Sequence, residues 1–187
     1  EIESESEARD AKIQEVIDSY SNLGIAKVTG YLNIRKDPDG AANVVGTLSD
    51  GSACEILETL DGWVKISSGE VEGYASSEYI LTGDEAKEAA KDLVKERAYI
   101  TADNLNIRET PSTDGQIVGK CLQGELHEIV AEENGWYKIS GGYISADYAE
   151  KRFCMNEANK LDMKAMVLNF YDRPGVSNVS NYLNIRA

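Results

Sequence analysis

The sequence predicts a mainly β fold in which two small β-barrels stand in tandem, each preceded by an α-helix. Three observations predict it. The tetrapeptide Leu-Asn-Ile-Arg occurs three times, beginning at Leu32, Leu105 and Leu183. Apolar and polar residues alternate over short runs, which is the period of half-buried strands. Turn sequences rich in Gly, Asp and Asn separate these runs, so a unit of about 55 residues holds five or six short strands, enough for a small barrel.

The first two copies of the repeat keep a constant offset of 73 residues through most of their length. Equivalent pairs are Pro38 and Pro111, Gly51 and Gly124, and Trp63 and Trp136. Four extra residues around Gly69 to Glu72 then interrupt the register in the first copy. After this excess, Tyr74 and Tyr79 align with Tyr143 and Tyr148. We interpret the excess as a lengthened hairpin turn.

Segments with a helical pattern precede the barrels. The first runs from about residue 4 to residue 20, and its apolar stripe consists of Ile13, Val16, Ile17 and Tyr20. A second, alanine-rich segment covers residues 84–98, and a third is predicted over residues 155–170. Short helices with an apolar stripe gain stability mainly by packing, so we favour helices docked on a neighbouring barrel over disordered linkers.

Charge and hydropathy exclude several classes of function. The chain of 187 residues carries a formal net charge of -14, which repels phosphate backbones and anionic lipid heads. No basic patch offsets this charge, so we expect no nucleic-acid partner. No run of about 18 apolar residues is present, so we expect no membrane span. The chain begins at Glu1 without a methionine or an apolar signal region, so we expect any signal peptide to lie outside this sequence.

The cysteines and the single histidine do not predict an active site. Cys54, Cys121 and Cys154 form no Cys-x-x-Cys pair, and we interpret them as small buried hydrophobes, although pairing between them stays open. His127 lies six residues after Cys121 across a turn, so the two side chains could be close in a hairpin. Leu48 and Cys54 occupy the equivalent positions of the first repeat, which therefore shares no dyad. We favour a solvent-facing histidine and predict no catalytic residue, metal ligand or cofactor.

The ordered motifs resemble the bacterial SH3 (SH3b) family. They are Leu-Asn-Ile-Arg, a Pro-containing turn, a Gly-Trp pair and a Gly-Tyr pair, and they recur in the same order in both complete repeats. We divide the chain accordingly into an N-terminal helix (1–23), a first SH3-like domain (24–81), a helical linker (82–96), a second SH3-like domain (97–149), a helical or irregular linker (150–176) and the start of a truncated third repeat (177–187).

The resemblance implies an exported protein of the cell wall or extracellular space, of the kind that accompanies NlpC-type peptidoglycan endopeptidases or amidases. It implies a non-catalytic module whose partner is a peptidoglycan stem or cross-bridge peptide. Two alternatives stay open. The chain could be an intramolecular scaffold that shapes the substrate cleft of an adjoining catalytic domain, or a module for protein-protein interaction in the envelope.

Aromatic residues are the candidate ligand-binding residues, because a ring with a polar tip suits an extended peptide or a sugar. They are Trp63, Tyr74, Tyr79, Trp136, Tyr137, Tyr143 and Tyr148. The alternative, that these rings plug or cover the barrels, is equally open. Gly73 and Gly142 precede two of the tyrosines, and we expect them to let another chain approach. For Arg35 and Arg108 we expect an architectural role, with hydrogen bonds to loop carbonyls.

Overall fold

The structure is a computed structural model that describes residues 2–161. The start of a third repeat predicted at 177–187 lies outside the described residues, as does most of the segment 155–170. Within the described residues the chain is mainly β with two α-helices, which confirms the predicted fold class. Neither helix in this part of the chain combines the length and the apolar character needed to cross a membrane.

Helix α1 (Ile2–Asp18) precedes the first repeat. The strands of that repeat are β1 (Leu23–Ala26), β2 (Tyr31–Arg35), β3 (Val44–Ser49), β4 (Ala53–Thr59), β5 (Trp63–Ser68), β6 (Val71–Ser76) and β7 (Ile80–Thr82). Helix α2 (Gly83–Leu93) follows. The remaining strands are β8 (Lys95–Ile100), β9 (Asn104–Arg108), β10 (Ile117–Leu122), β11 (Leu126–Glu128), β12 (Ala131–Glu133), β13 (Trp136–Ile139), β14 (Gly142–Ser145), β15 (Ala149–Cys154) and β16 (Asn159–Lys160).

The first repeat forms an antiparallel sheet with the strand order β16-β3-β2-β6-β5-β4-β1-β7. Leu32 and Ile34 of β2 are buried, as the alternating pattern predicts. Strands near both ends of the sheet contribute to one core, which includes Leu48 of β3 and Ile80 of β7. The sheet therefore curls around this core as an SH3-like unit does. Among the described residues its hydrogen-bonded strand order is linear and does not close into a ring.

The second repeat divides the same architecture between two sheets. Their strand orders are β10-β9-β14-β13-β12 and β11-β8-β15. Both contribute to a common core, whose buried members are Ala98, Ile100, Leu105, Cys121, Tyr137, Ile139 and Ile144. Each repeat within residues 2–161 therefore has an SH3-like arrangement of strands, in each case as open sheets wrapped on a core rather than as a closed barrel.

The two helices pack on the first repeat around a third apolar cluster. Ile17 of α1 and Ala90 of α2 are fully buried there against Leu23 of β1. Helix α2 ends at Leu93, whereas the sequence predicts a helix over residues 84–98. The residues after Leu93 pair with β11 and β15 instead, and these cross-strand contacts outweigh the local helical pattern.

The four-residue excess of the first repeat lengthens strands rather than a turn. Strands β5 and β6 have six residues each, whereas β13 and β14 have four each. Two residues separate the strands in both hairpins, Gly69 and Glu70 in the first and Ser140 and Gly141 in the second. In the longer hairpin Ser68 and Val71 are buried, at positions to which the shorter strands β13 and β14 do not extend.

The chain after β15 turns back to the first repeat. We call residues 155–161 the return segment, and it contains no helix, unlike the prediction for this part of the chain. Met155 is 1% exposed within the cluster formed by α1 and α2. Strand β16 then adds to the edge of the first sheet by pairing with β3. The return segment therefore attaches the second repeat to the first.

Buried hydrogen bonds fix the return segment to the lengthened hairpin. Asn156 O accepts a hydrogen bond of 2.8 Å from Ala53 N. The hydroxyl of Ser68 donates to Ala53 O at 2.6 Å and accepts from Ala158 N at 2.9 Å. Because Ser68 is buried, it satisfies two backbone groups that water does not reach. One hydroxyl thus links β4, β5 and the return segment.

We expect Ser68→Ala to lower the free energy of unfolding by about 1–3 kcal/mol, because a buried N–H loses its acceptor and a buried C=O loses a donor. Urea-induced unfolding measures the change. Ser67→Ala is the matched control, because Ser67 is the neighbouring, partly exposed residue of β5. Its effect should stay within about 0.5 kcal/mol. Equal losses from the two substitutions would contradict this role for the Ser68 hydroxyl.

Candidate ligand-binding surface

A row of three side chains crosses the outer face of each repeat. The three residues of a row are direct cross-strand partners on three neighbouring strands, so their side chains lie on the same side of the sheet. All of them are partly or fully exposed. The rows, which we call the Arg-Tyr-Lys rows, are Arg35, Tyr74 and Lys65 in the first repeat and Arg108, Tyr143 and Lys138 in the second.

The arginine of each row supports a loop. Arg35 Nη1 donates a hydrogen bond of 2.8 Å to Ala42 O, and Arg108 Nη1 donates one of 2.8 Å to Gly115 O. Both carbonyls lie in the loop between the second and third strands of their repeat. The predicted architectural role of the two arginines is therefore confirmed. The same hydrogen bond holds each guanidinium group in place at one end of its row.

The lysines of the two rows have different partners. Lys138 Nζ lies 5.8 Å from the centroid of the Tyr143 ring, within cation-π range. Lys65 Nζ lies 3.0 Å from Glu72 Oε1, a carboxylate of the lengthened hairpin. The hydrogen bond and the charge of Glu72 raise the pKa of Lys65. The first row is thus partly neutralised by a carboxylate, and the second presents its ammonium group beside an aromatic ring.

Six of the seven candidate aromatic residues reach the surface. Tyr79 and Tyr148 are 43% and 54% exposed in single turns of 3-10 helix. Tyr137 differs, because its position on β13 faces inward and its side chain is 7% exposed in the second core. Its role is packing, and we leave it out of the candidate surface. The partly exposed members are Trp63, Tyr74, Trp136 and Tyr143.

Gly73 and Gly142 permit a close approach within the chain itself, not the approach of a ligand. A Cβ at Gly73 would lie 2.5 Å from Arg35 O, and one at Gly142 would lie 2.5 Å from Arg108 O. Both distances are shorter than van der Waals contact allows. The glycines therefore let β6 cross the end of β2 in the first repeat and β14 cross the end of β9 in the second, which corrects the interpretation made from sequence.

A cleft of about 510 Å³ lies between the two repeats, and sequence reasoning missed it. Its walls come from the tip of the lengthened hairpin, the return segment and the β10–β11 turn, which are far apart along the chain. The carboxylates that line it are Glu70, Asp103, Glu125 and Glu157. Burial raises the pKa of Glu157, and the charge of Arg152 opposes that shift. None of the seven candidate aromatic residues lines this cleft.

The thiols of the described residues are poor nucleophiles. Cys54 and Cys121 are buried, and burial raises the pKa of each to about 12. Cys154 is partly exposed, and burial raises its pKa as well. His127 is not fully solvent-facing as the sequence suggests. Its side chain is 29% exposed, and its Nε2 lies 2.9 Å from Glu125 Oε2, a contact that no motif predicted.

We expect Arg108→Ala to release the loop between β9 and β10, because the carbonyl of Gly115 loses its charged donor. Amide hydrogen exchange should accelerate in residues 109–116, and the free energy of unfolding should fall by about 1–2 kcal/mol. Lys120→Ala is the control, because Lys120 is exposed on β10. An unchanged exchange rate in this loop would show that the guanidinium does not hold it.

We expect Cys54 and Cys121 to resist iodoacetamide at pH 8 in the folded protein in a chelator-containing buffer. A raised pKa lowers the thiolate fraction below that of a free cysteine, and burial also excludes the reagent. Cys154 should react slowly, and all three should react in denaturant. Peptide mass mapping measures the result. Rapid labelling of Cys121 in the folded protein would contradict its buried, protonated state.

The chain is similar to a known protein family and to several known proteins. The bacterial SH3 domain model matches residues 30–80 and 103–150. The chain is 28% identical over 127 residues to "Putative N-acetylmuramoyl-L-alanine amidase YrvJ" of Bacillus subtilis (strain 168), an alignment that covers 63% of this chain and 24% of YrvJ. This chain therefore spans about a quarter of the length of that curated relative.

Two solved structures from Trichomonas vaginalis also align with the chain, each at 18% sequence identity. NlpC2 has a TM-score of 0.30, with coverage of 70% of this chain and 48% of NlpC2. NlpC1 has a TM-score of 0.31, with coverage of 71% and 47%. The two matched segments of the family model together span more than half of the sequence and carry both repeats, so the chain belongs to the bacterial SH3 domain family.

Proposed function

We propose that the chain is a non-catalytic module that holds a bacterial envelope protein, a peptidoglycan hydrolase, on wall peptide. Membership of the bacterial SH3 domain family and the partial match to an amidase support this proposal. It places the chain in the cell wall or the extracellular space. The observation that carries it is the duplication of an exposed Arg-Tyr-Lys row at equivalent positions of both repeats.

The duplication supports a binding role because a core does not require these residue types at exposed positions. Each row lies beside an indole on the same face, since Trp63 precedes Lys65 by two residues and Trp136 precedes Lys138 by two. A ring face, an ammonium group and a guanidinium edge together suit a peptide with a carboxylate. The arginine is already engaged with a loop, so the tyrosine and the lysine are the contacts we assign to the ligand.

The charge of the chain favours this local mode of binding. A net charge of -14 opposes general adhesion to anionic wall polymers. The second row presents a cation at a defined place, beside the ring of Tyr143. Wall peptides carry carboxylates and uncharged amides, which match a row of this composition. We therefore assign stem or cross-bridge peptide, rather than an anionic polymer, as the ligand.

A non-catalytic role agrees with the state of the thiols. A cysteine nucleophile requires a lowered pKa and a base within hydrogen-bond reach. Burial moves the pKa of Cys54 and Cys121 in the opposite direction. We assign hydrolysis, in the full-length protein, to a domain other than these repeats.

The alternative of an intramolecular scaffold has one specific observation in its favour. The return segment and its hydrogen bonds to Ser68 join the two repeats, and their junction forms a cleft. Such a joined pair presents a fixed surface to an adjoining domain. Under this alternative, the isolated chain is not retained on peptidoglycan but binds the catalytic domain of its parent protein.

We expect Tyr143→Ala to weaken retention of the chain on purified peptidoglycan, with a cost of about 1–3 kcal/mol of binding free energy. The melting temperature should change little, because the ring is partly exposed. Sedimentation with peptidoglycan and thermal unfolding are measured on the same preparations. Unchanged retention together with a stability loss of about 3–5 kcal/mol would identify Tyr143 as a packing residue and refute the proposal.

Two further variants sharpen the experiment. Tyr31→Ala removes a tyrosine that is 67% exposed and lies outside both rows, so it should leave retention unchanged. The double variant Tyr74→Ala, Tyr143→Ala should lose more retention than either single variant, because two linked sites bind a polymer with avidity. If the wild-type chain itself is not retained, wall binding by this chain is wrong, and binding to the catalytic domain is tested instead.

A further inference from the structure

The hairpin β10–β11 brings three different metal-ligating side chains together. Cys121 lies on β10, Glu125 in the turn and His127 on β11. The Cys121 Sγ, a carboxylate oxygen of Glu125 and a ring nitrogen of His127 all lie within 4.8 Å of one another. No other group of three such side chains occurs in residues 2–161. The chain has one histidine, and it lies in this group.

The first repeat shows what the fold requires at these positions. Leu48, Ser52 and Cys54 are the equivalent residues, and all three are fully buried. The equivalence is structural as well as sequential, because Ser52 O accepts from Ala26 N and Glu125 O accepts from Ile100 N at the same place in each repeat. The fold of an SH3-like unit therefore does not require a cysteine, a glutamate and a histidine together on this hairpin.

Packing accounts for only part of this difference, since Cys121 is fully buried in the second core whereas Glu125 and His127 are partly exposed. The smaller Cys121 replaces Leu48 and the larger His127 replaces Cys54, and polar groups in partly buried positions reduce stability unless they are paired. Glu125 and His127 pair with each other, and Glu125 Oε2 also accepts from Leu122 N at 3.1 Å. That pairing positions both side chains close to the sulfur of Cys121.

A sulfur, a nitrogen and an oxygen donor form a set that suits a divalent ion of intermediate softness. Zn²⁺ binds such ligands at about 2.0–2.3 Å in a tetrahedron, which places the donor atoms roughly 3.5 Å apart. The carboxylate and the imidazole already lie 2.9 Å apart, and because all donor atoms lie within 4.8 Å of one another, the sulfur needs to approach them by at most about 1.3 Å. The side chains of Glu125 and His127 are 30% and 29% exposed, which leaves them room to rotate toward Cys121.

We propose that Cys121, Glu125 and His127 form a binding site for Zn²⁺ or a similar divalent ion such as Co²⁺. Binding breaks the S–H bond of Cys121 and forms a metal-sulfur bond, and the proton leaves to the solvent buffer. Three protein ligands leave a fourth position, which a water molecule occupies. Glu125 also lines the cleft between the repeats, so the proposed site borders that cleft.

The site is absent from the first repeat, and it is separate from the Arg-Tyr-Lys rows. Its ligands lie on β10, on β11 and in the turn between them, whereas the second row lies on β9, β13 and β14. Metal binding and retention on peptidoglycan are therefore independent properties of the chain. A failure of one leaves the other unaffected, and the two measurements separate them.

Titration of the chelator-treated, reduced protein with Co²⁺ tests the site. We expect a thiolate-to-cobalt absorption band in the near ultraviolet, which saturates at one equivalent and disappears when Zn²⁺ is added. Zn²⁺ should also raise the melting temperature, because an ion that binds only the folded state stabilises it. Affinity should rise with pH, since the ion displaces a thiol proton.

Variants assign the ligands. Cys121→Ser should abolish the absorption band, and His127→Ala should weaken binding by roughly 100-fold. Glu125→Gln and His127→Ala alter partly exposed positions, so they keep the test valid if Cys121→Ser fails to fold. Cys154→Ser is the control, because Cys154 is partly exposed outside the group, and it should bind as the wild type does.

Two results would overturn the proposal. One is the absence of both the cobalt band and a Zn²⁺-dependent rise in melting temperature in the wild-type chain. The other is a band that persists in His127→Ala and Cys121→Ser but disappears in Cys154→Ser, which would assign the metal to another thiol. In either case, Glu125 and His127 form a structural pair beside a packed cysteine.

Discussion

The close crossing of β2 with β6 in the first repeat, and of β9 with β14 in the second, is the constraint on which each repeat depends. A side chain at Gly73 or Gly142 would collide with the carbonyl of Arg35 or Arg108, so only glycine permits the two strands to meet. The crossing brings opposite parts of the sheet around one small core. It also places a tyrosine directly beside an arginine on the outer face, and so creates the row that we assign to ligand binding.

The two repeats share this constraint but differ where they meet. Four extra residues extend one hairpin of the first repeat, and the extension carries the buried hydroxyl of Ser68 to the return segment. That segment continues from the last strand of the second repeat and adds β16 to the first sheet. The lengthened hairpin thus contributes to the contact between the two repeats, and the cleft lies at their junction.

The comparison of the two repeats also separates features that recur in both of them from a feature that occurs in one. The rows recur in both repeats, which is why we connect them with a function common to both. The group of Cys121, Glu125 and His127 occurs once, on a hairpin whose counterpart is filled by Leu48, Ser52 and Cys54. A duplicated chain therefore contains its own control, since each repeat shows what the other folds without.

The sequence by itself determined the mainly β class, the duplication, the architectural arginines and the apolar stripe of α1, because these depend on local periodicity and on residues in fixed register. Tertiary structure alone decided the end of α2, where strand pairing replaces a helical pattern after Leu93. It also decided that Tyr137 faces the core and that residues 155–161 return to the first repeat. The cleft and the contact between His127 and Glu125 likewise needed the fold, because they depend on which strand pairs with which, and pairing between distant segments leaves no local pattern in the sequence.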